Sequence, residues 1–539
     1  MSLLIAQASR ERVGRMRWAG LTSTSHSCCH QAKPQAKTVA FRLHLPPCDV
    51  RPYNIAMANR GLADFLEELQ RAGELRRVEV AIDPGQEAVE ITRRTANSGG
   101  PALLFTATGG EMPLLTNLLG SENRVCRALG VDSLDDMAAR IADVGRPAEQ
   151  EGWFERLKPS AHAAAIGKLL PRRVRSGACQ QVLRLGGDID LTALPAMQTS
   201  PDGPGTTLTA AMLFVADLDT PQPIVGRYDL QVLGPDRLAV CWADHDEVAA
   251  LLPQYARRGE KVPVAAVLGG DPAMLLAAMA PLPPEVNACA IAGLFRDKPI
   301  DVVACRDVDL AVPADAEIVI EGYIDPAEPP VEASARCTPL GHYTSKQRAA
   351  VMHVVAITHR ANPVFPAIVP GQPPNEEGTI NRSLARVLLP LAKISLPELV
   401  DYDLPTFGAG RGWATLSIEK TYAGQARRVA HAAWGLRQFM FAKFLVVVDA
   451  DVDVHDEQQV MAAIAASVAP AHDVEIQQGP PDPLDAATLP NQLGHRMVID
   501  ATRRITGEHG SEAVDSATVT EEVRRLVEGR WEEYGLGAE

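Results

Sequence analysis

The sequence predicts a multidomain α/β protein, and three observations carry that expectation. The chain has 539 residues, above the size at which one hydrophobic core stops growing, so domains of ~100–200 residues each are expected. Its 46% hydrophobic and 22% charged residues are ordinary globular usage, which excludes a disordered or fibrous chain. Along most of its length amphipathic helices alternate with short β-rich runs separated by Gly and Pro.

The first 56 residues stand apart. Arg10, Arg12, Arg15, Arg17, Lys33, Lys37, Arg42 and Arg51 are set against only Glu11 and Asp49, and Pro46, Pro47 and Pro52 close the segment. Such an Arg-rich, acid-poor leader reads either as a transit peptide or as residues upstream of a true start at Met57. Disorder is expected in both cases, and secretion is not expected, for want of a long apolar region.

From Leu62 the pattern sharpens. Leu62, Phe65, Leu66 and Leu69 share one helical face, and Gly73 stands where a C′ glycine belongs. A strand is expected over Arg77–Ile82, a turn at Asp83-Pro84-Gly85, a helix over Glu87–Asn97 and a strand over Ala102–Phe105, completing an α/β unit to about residue 150.

Residues 175–350 carry many short strands: Val182–Leu185, Leu208–Val215, Pro223–Val232, Leu238–Trp242, Val262–Leu268, Ile300–Ala304, Glu317–Tyr323 and Met352–Thr358. Two helices interrupt them, near Glu247–Arg258 and Pro272–Ala280. Strands so punctuated predict a barrel or sandwich core. From about 375 long helices and strands alternate again. Phe444–Val448 is a buried strand followed by Asp449, Asp451 and Asp453, and a charged helix over Thr520–Tyr534 ends the chain.

Composition also limits function. A net charge of −15 repels nucleic acid and anionic membrane. The longest apolar stretch, Val262 to Leu282, is broken by Gly269, Gly270, Asp271 and Pro272, so no membrane span is expected. The nine cysteines form no CxxC pair; they read as small buried hydrophobes in a reduced, cytoplasmic protein. Walker A, GxSxG, HExxH and GxGxxG loops are absent. Gly408-Ala-Gly-Arg-Gly412 reads as a surface turn rather than a phosphate cradle. Asp244-His245-Asp246 offers metal donors but reads more plainly as a solvated turn, and Asp449, Asp451 and Asp453 as solvated acids at a strand end.

Several blocks say more than composition does: Leu62-Ala-Asp-Phe-Leu with Gly73-Glu-Leu, Val80-Ala-Ile-Asp-Pro84, Gly99-Gly-Pro-Ala-Leu-Leu-Phe105, Cys179-Gln-Gln181 with Gly187-Asp-Ile-Asp-Leu191, Leu268-Gly-Gly-Asp-Pro272, and Val312 through Tyr323. Gln372-Pro-Pro-Asn-Glu376, Tyr422-Ala-Gly424 with Arg427-Arg-Val429, and Leu436-Arg-Gln-Phe-Met440 follow them. In this order the blocks resemble the UbiD family, decarboxylases that use prenylated FMN, and the likeness covers about residues 60–505. It implies an N-terminal α/β domain (57–165), a central split β-barrel of flavin-binding type (166–360) and a C-terminal α/β dimerisation domain (361–539). The implied reaction is reversible, non-oxidative decarboxylation of an aromatic or α,β-unsaturated acid. The flavin serves as electron sink, since side chains cannot. A divalent metal such as Mn²⁺, with potassium, holds its phosphate, and a prenylated-FMN synthase supplies it. A homodimer or hexamer is also implied.

The site carries over unevenly. The family's metal-ligand and arginine segment falls on Ile224-Val-Gly-Arg-Tyr-Asp229, where Ile224 cannot ligate and Asp229 has the wrong sign, leaving Arg227 two residues away on the same face as a substitute. The metal histidine is retained as His245, and the metal glutamate falls on Ala288. The acid pair falls on Glu332 and Cys337, whose thiol is protonated at neutral pH and can donate a proton. The resemblance therefore implies Glu332, Arg227 and Cys337 as catalytic groups, with His245 and Arg227 toward cofactor and His245 toward metal. The alternative it leaves open is a catalytically degenerate subunit that assembles with or regulates an active paralogue. Binding of ordinary FMN or a small acid for another purpose comes third.

Overall fold

A computed structural model of the chain describes residues 61–145, 167, 169–199, 205–243, 245–283, 286–480, 482–485, 487–488, 493–508 and 519–535. The basic leader, with Cys28, Cys29 and Cys48, lies outside them, as does Asp244 of the Asp-His-Asp run.

Leu62, Phe65, Leu66 and Leu69 are the buried stripe of helix Leu62–Arg71, and Gly73, at φ +75, turns the chain into strand Leu75–Val78. That strand starts earlier than its propensity indicates because parallel pairing begins where Leu75 faces Ala102. Helix Glu87–Asn97 follows. Strands Leu75–Val78, Ala102–Phe105 and Leu114–Thr116 are joined in one sheet by Phe365–Ala367. The chain thus returns from the barrel to the N-terminal sheet, and helix Glu376–Ser395 then packs on helix Leu134–Gly145.

The centre is a closed antiparallel barrel. Strands Ile318–Ile324, Val262–Leu268, Thr207–Val215, Ile224–Gly234, Arg237–Val240 and Gln347–His359 pair in that order, and the last pairs back to the first. Val262, Val264, Ala266 and Leu268 join Leu213, Val215, Ile318 and Ile320 in the apolar filling. The alternate residues Ala265, Val267, Met212, Phe214 and Val319 face a second core shared with the surrounding helices. Burial on both faces explains why these strands read as continuous apolar runs. Helix Ala288–Arg296, capped by the Asn287 side chain, was not apparent from the sequence.

The C-terminal sheet runs Leu399–Asp403, Trp413–Ile418, Phe444–Asp449, Gly494–Asp500, Val474–Gly479. Gly408–Gly410 is buried, correcting the expected surface turn. A Cβ at Gly410 would sit 2.5 Å from that of Asn381 and 3.0 Å from the Gly378 carbonyl, so close approach to helix Glu376–Ser395 dictates the glycine. Strand Phe444–Asp449 ends at the first of the three acids, which accepts from the Arg503 amide. None of the described helices is long and apolar enough to cross a membrane. The six described cysteines are unpaired and, apart from half-buried Cys305, buried.

In the same domain His455 lies 3.3 Å from Asp401 and 3.5 Å from Asp403. Hydrogen bonds to Asp401 and Asp403 push its pKa up to about 9 from an ordinary 6.5. A raised folded-state pKa makes this contribution complete below the ordinary value and lost as pH rises through about 9. The melting-temperature gap between wild type and His455→Gln is therefore expected to be full near pH 6 and closed near pH ~10. A pH-independent gap would refute this ionic origin.

Candidate functional site

Period-two alternation along strand Ile224–Gly234 turns Ile224 and Tyr228 toward the barrel filling and Val225 toward the outer core. Arg227 and Asp229 share the outer face, which the start of helix Glu376–Ser395 covers. Arg227 Nη1 donates to Asp229 Oδ1 at 2.6 Å and to the Thr209 carbonyl at 2.9 Å, and Nη2 reaches Glu377 Oε2 at 3.4 Å. Asp229 Oδ2 lies 3.5 Å from Arg336 Nη1. Glu377 Oε1 lies 3.8 Å from Arg411, which pairs with Asp482 at 2.6 Å. The result is a chain of alternating charge from the barrel to the C-terminal domain. Burial pulls the Arg227 pKa down, but Asp229 and Glu377 outweigh it and hold the guanidinium charged.

Gln231 and Ser334 close the adjoining cleft reciprocally, Gln231 Nε2 donating to Ser334 Oγ and Ser334 N to Gln231 Oε1, each at 2.9 Å. Between Thr207, Asp229, Cys241 and Arg336 the space is about 10 Å³, room for roughly one water.

The residues implied at the site are not brought together. Glu332 lies on strand Val331–Ala333, where alternation buries Ala333 and sends the glutamate outward to Lys346 Nζ at 2.8 Å. Cys337 is buried, with Arg93 Nη2 3.5 Å from its sulfur. Burial pushes its thiol up, which Arg93 only partly offsets, so the group is neutral. His245 is exposed, its ring centroid 5.0 Å from that of Phe441. Ile224 packs against the barrel filling and Ala288 is buried at the start of its helix. No group of three His, Cys, Asp or Glu able to hold a metal occurs among the described residues. A metal bridging protein to a flavin phosphate does not fit these side chains, because Ile224 and Ala288, two of the three donor positions that the resemblance implies, are hydrocarbon.

Sequence reasoning missed Glu377, Arg336, Arg411 and Arg93. Glu376-Glu377 looks like the acidic first turn of a helix, where the dipole alone favours acids. Glu376 does other work: its Oε1 accepts from Leu119 N at 2.7 Å, and burial pushes its carboxyl up to about 7.

Family comparisons place this geometry among known proteins. The 3-octaprenyl-4-hydroxybenzoate carboxy-lyase N-terminal, Rift-related and C-terminal domains match residues 66–141, 172–373 and 378–501. An uncharacterized protein of Aquifex aeolicus is 36% identical over 481 residues, covering 88% of this chain and 99% of that one. Vanillic acid decarboxylase of Sedimentibacter hydroxybenzoicus in closed form superposes with a TM-score of 0.79 at 26% identity, over 89% of this chain and 100% of its own. The UbiD-class enzyme HmfF of Pelotomaculum thermopropionicum, in complex with prFMN, gives 0.68 at 28%, over 84% and 97%.

Proposed function

The chain belongs to the UbiD family of carboxy-lyases, and from that premise we propose that it keeps the family scaffold without its metal-anchored flavin decarboxylation. On this proposal it is a subunit that assembles with or regulates an active paralogue. One observation carries it: Arg227, the guanidinium left for a substrate carboxylate, is already engaged at both terminal nitrogens, Nη1 by Asp229 and Nη2 by Glu377. A carboxylate held in a buried bidentate site needs a free fork of donors, and here each edge of the fork includes a nitrogen that an internal carboxylate already holds.

The second reading is a working decarboxylase of an aromatic or α,β-unsaturated acid with prenylated FMN. The neutral, buried Cys337 thiol beside Arg93 favours it as a proton donor, and so does the likeness to vanillic acid decarboxylase and prFMN-bound HmfF. It requires Glu332 to turn inward and Arg227 to be released. Exposed Val519, Val523, Leu526, Trp531 and Tyr534 along the terminal helix, none of whose residues is buried, support contact with a further subunit, in a homodimer, a hexamer or with the paralogue. Unpaired thiols support work in the cytoplasm.

Co-production with a prenylated-FMN synthase tests the proposal. The purified protein is expected to be a colourless, metal-free oligomer. Stoichiometric prenylated flavin with CO2 release from an aromatic acid would replace it with the second reading. Ile224→Asn with Ala288→Glu is likewise expected to gain no stoichiometric Mn²⁺, since His245 faces Phe441; a full metal complement would mean that only the anchor has drifted.

A further inference from the structure

A roomier cleft lies away from the barrel's charge chain, where the 108–112 loop meets the start of the barrel domain. It encloses about 450 Å³, within the size range of small-molecule sites. Strand Val182–Leu185 adds to the edge of Gln347–His359, with Arg184 directly opposite Ile357 and His359 two residues further on. Opposite residues and i, i+2 neighbours share one face of a sheet, so all three side chains line the cleft.

Their chemistry is directional. His359 is buried and its Nδ1 donates to the Arg360 carbonyl at 2.6 Å. Its Nε2 is therefore the lone-pair nitrogen, and it accepts from Arg184 Nε at 3.2 Å. That bond aims the outer edge of the guanidinium into the cleft. Among the described residues Glu111, whose side chain is 86% exposed, touches Arg184 Nη2 at 3.2 Å; a second carboxylate, Asp190, also lines the cleft, its Oδ1 accepting from the Thr192 amide and hydroxyl. Glu111 follows Gly109, at φ +78, and Gly110. Met112, Leu194 and Ile357 supply apolar wall. An oriented guanidinium below hydrocarbon walls, covered by the carboxylate of an exposed side chain, is a carboxylate site with an internal competitor.

We propose that this cleft is a second small-molecule site, taking a small apolar monocarboxylate whose carboxylate displaces Glu111 from Arg184 while its hydrocarbon part lies against Met112, Leu194 and Ile357. This is independent of whether the barrel turns over substrate. An exposed ion pair is weak, so its displacement costs little. A ligand carboxylate can take both outer nitrogens of the fork, where Glu111 takes one.

Calorimetric titration of the full chain with benzoate tests the assignment. Wild type is expected to bind in the millimolar range. Glu111→Gln, a surface change, is expected to bind about threefold tighter, the scale of a lost exposed ion pair. Arg184→Gln is expected to lose roughly tenfold or more, as befits a charge-assisted fork. Benzamide, the uncharged isostere, is expected to show no heat. Failure of benzoate to bind both wild type and Glu111→Gln would overturn the proposal. Binding indifferent to Arg184→Gln would also overturn it by placing benzoate elsewhere, such as the barrel. Inorganic phosphate binding as tightly as benzoate would overturn the apolar part.

Discussion

Arg227→Met is expected to lower the stability of the barrel by ~3–5 kcal/mol, the usual result of leaving buried charges without their partner. The Arg227, Asp229 and Glu377 side chains are only 13%, 19% and 7% exposed, so water cannot replace the lost guanidinium. Among the described cations Asp229 then keeps Arg336 at 3.5 Å and Glu377 keeps Arg411 at 3.8 Å. Asp229→Asn is expected to cost less, because Arg227 retains Glu377. The pair Arg227→Met with Asp229→Met should recover part of the loss, since an apolar replacement of both ions removes the desolvation penalty with the attraction. Urea unfolding of wild type, Arg227→Met, Asp229→Met and the double variant measures this coupling. An Arg227→Met variant within about 0.5 kcal/mol of wild type would show the chain of charges to be solvent-screened.

Closing the barrel sets the second large effect. Strand Ile318–Ile324 pairs with Gln347–His359 through a register shift between Glu321 and Gly322, a bulge that bends the seam. A Cβ at Gly322 would lie 2.1 Å from the His353 carbonyl oxygen and 3.0 Å from its carbon. Backbone on the partner strand cannot rotate away as a side chain can, so Gly322→Ala must separate the two strands at the seam. A loss of about 3 kcal/mol or more is expected, at the upper end of overpacking effects. Gly234→Ala, which meets nothing within 4 Å, is the control and should change stability by less than about 0.5 kcal/mol. Equal effects from the two substitutions would refute the close approach as the cause.

The helical and strand periodicities were legible because they are one-dimensional. Leu62, Phe65, Leu66 and Leu69 announce a helix from their spacing, and they are its buried stripe. Val262–Leu268 and Glu247–Arg258 have the bounds their patterns indicate. Strand starts moved where pairing, rather than propensity, decides them, as at Leu75 opposite Ala102. The apolar character of Ile224 and Ala288, two donor positions that the resemblance implies, was equally legible, since no fold gives hydrocarbon a lone pair to offer a metal.

What the sequence by itself determined, then, is the α/β alternation, the β-rich centre, the family likeness and the apolar residues at Ile224 and Ala288. Tertiary structure alone decided which charges meet. Asp229 reads in sequence as an arginine position with the wrong sign, yet in space it is the counter-ion of Arg227 and Arg336. Glu377 reaches Arg227 across 150 residues of chain, and no local pattern encodes that separation. Glu332 falls where the resemblance implies an acid, but the pairing of Glu332 with Arg348 sets its strand's register and alternation turns its carboxylate outward. The physical reason is common to all three. Apolar burial is dictated by spacing along one element, whereas the partner of a buried charge depends on register between elements that only the closed barrel and its covering helix bring together.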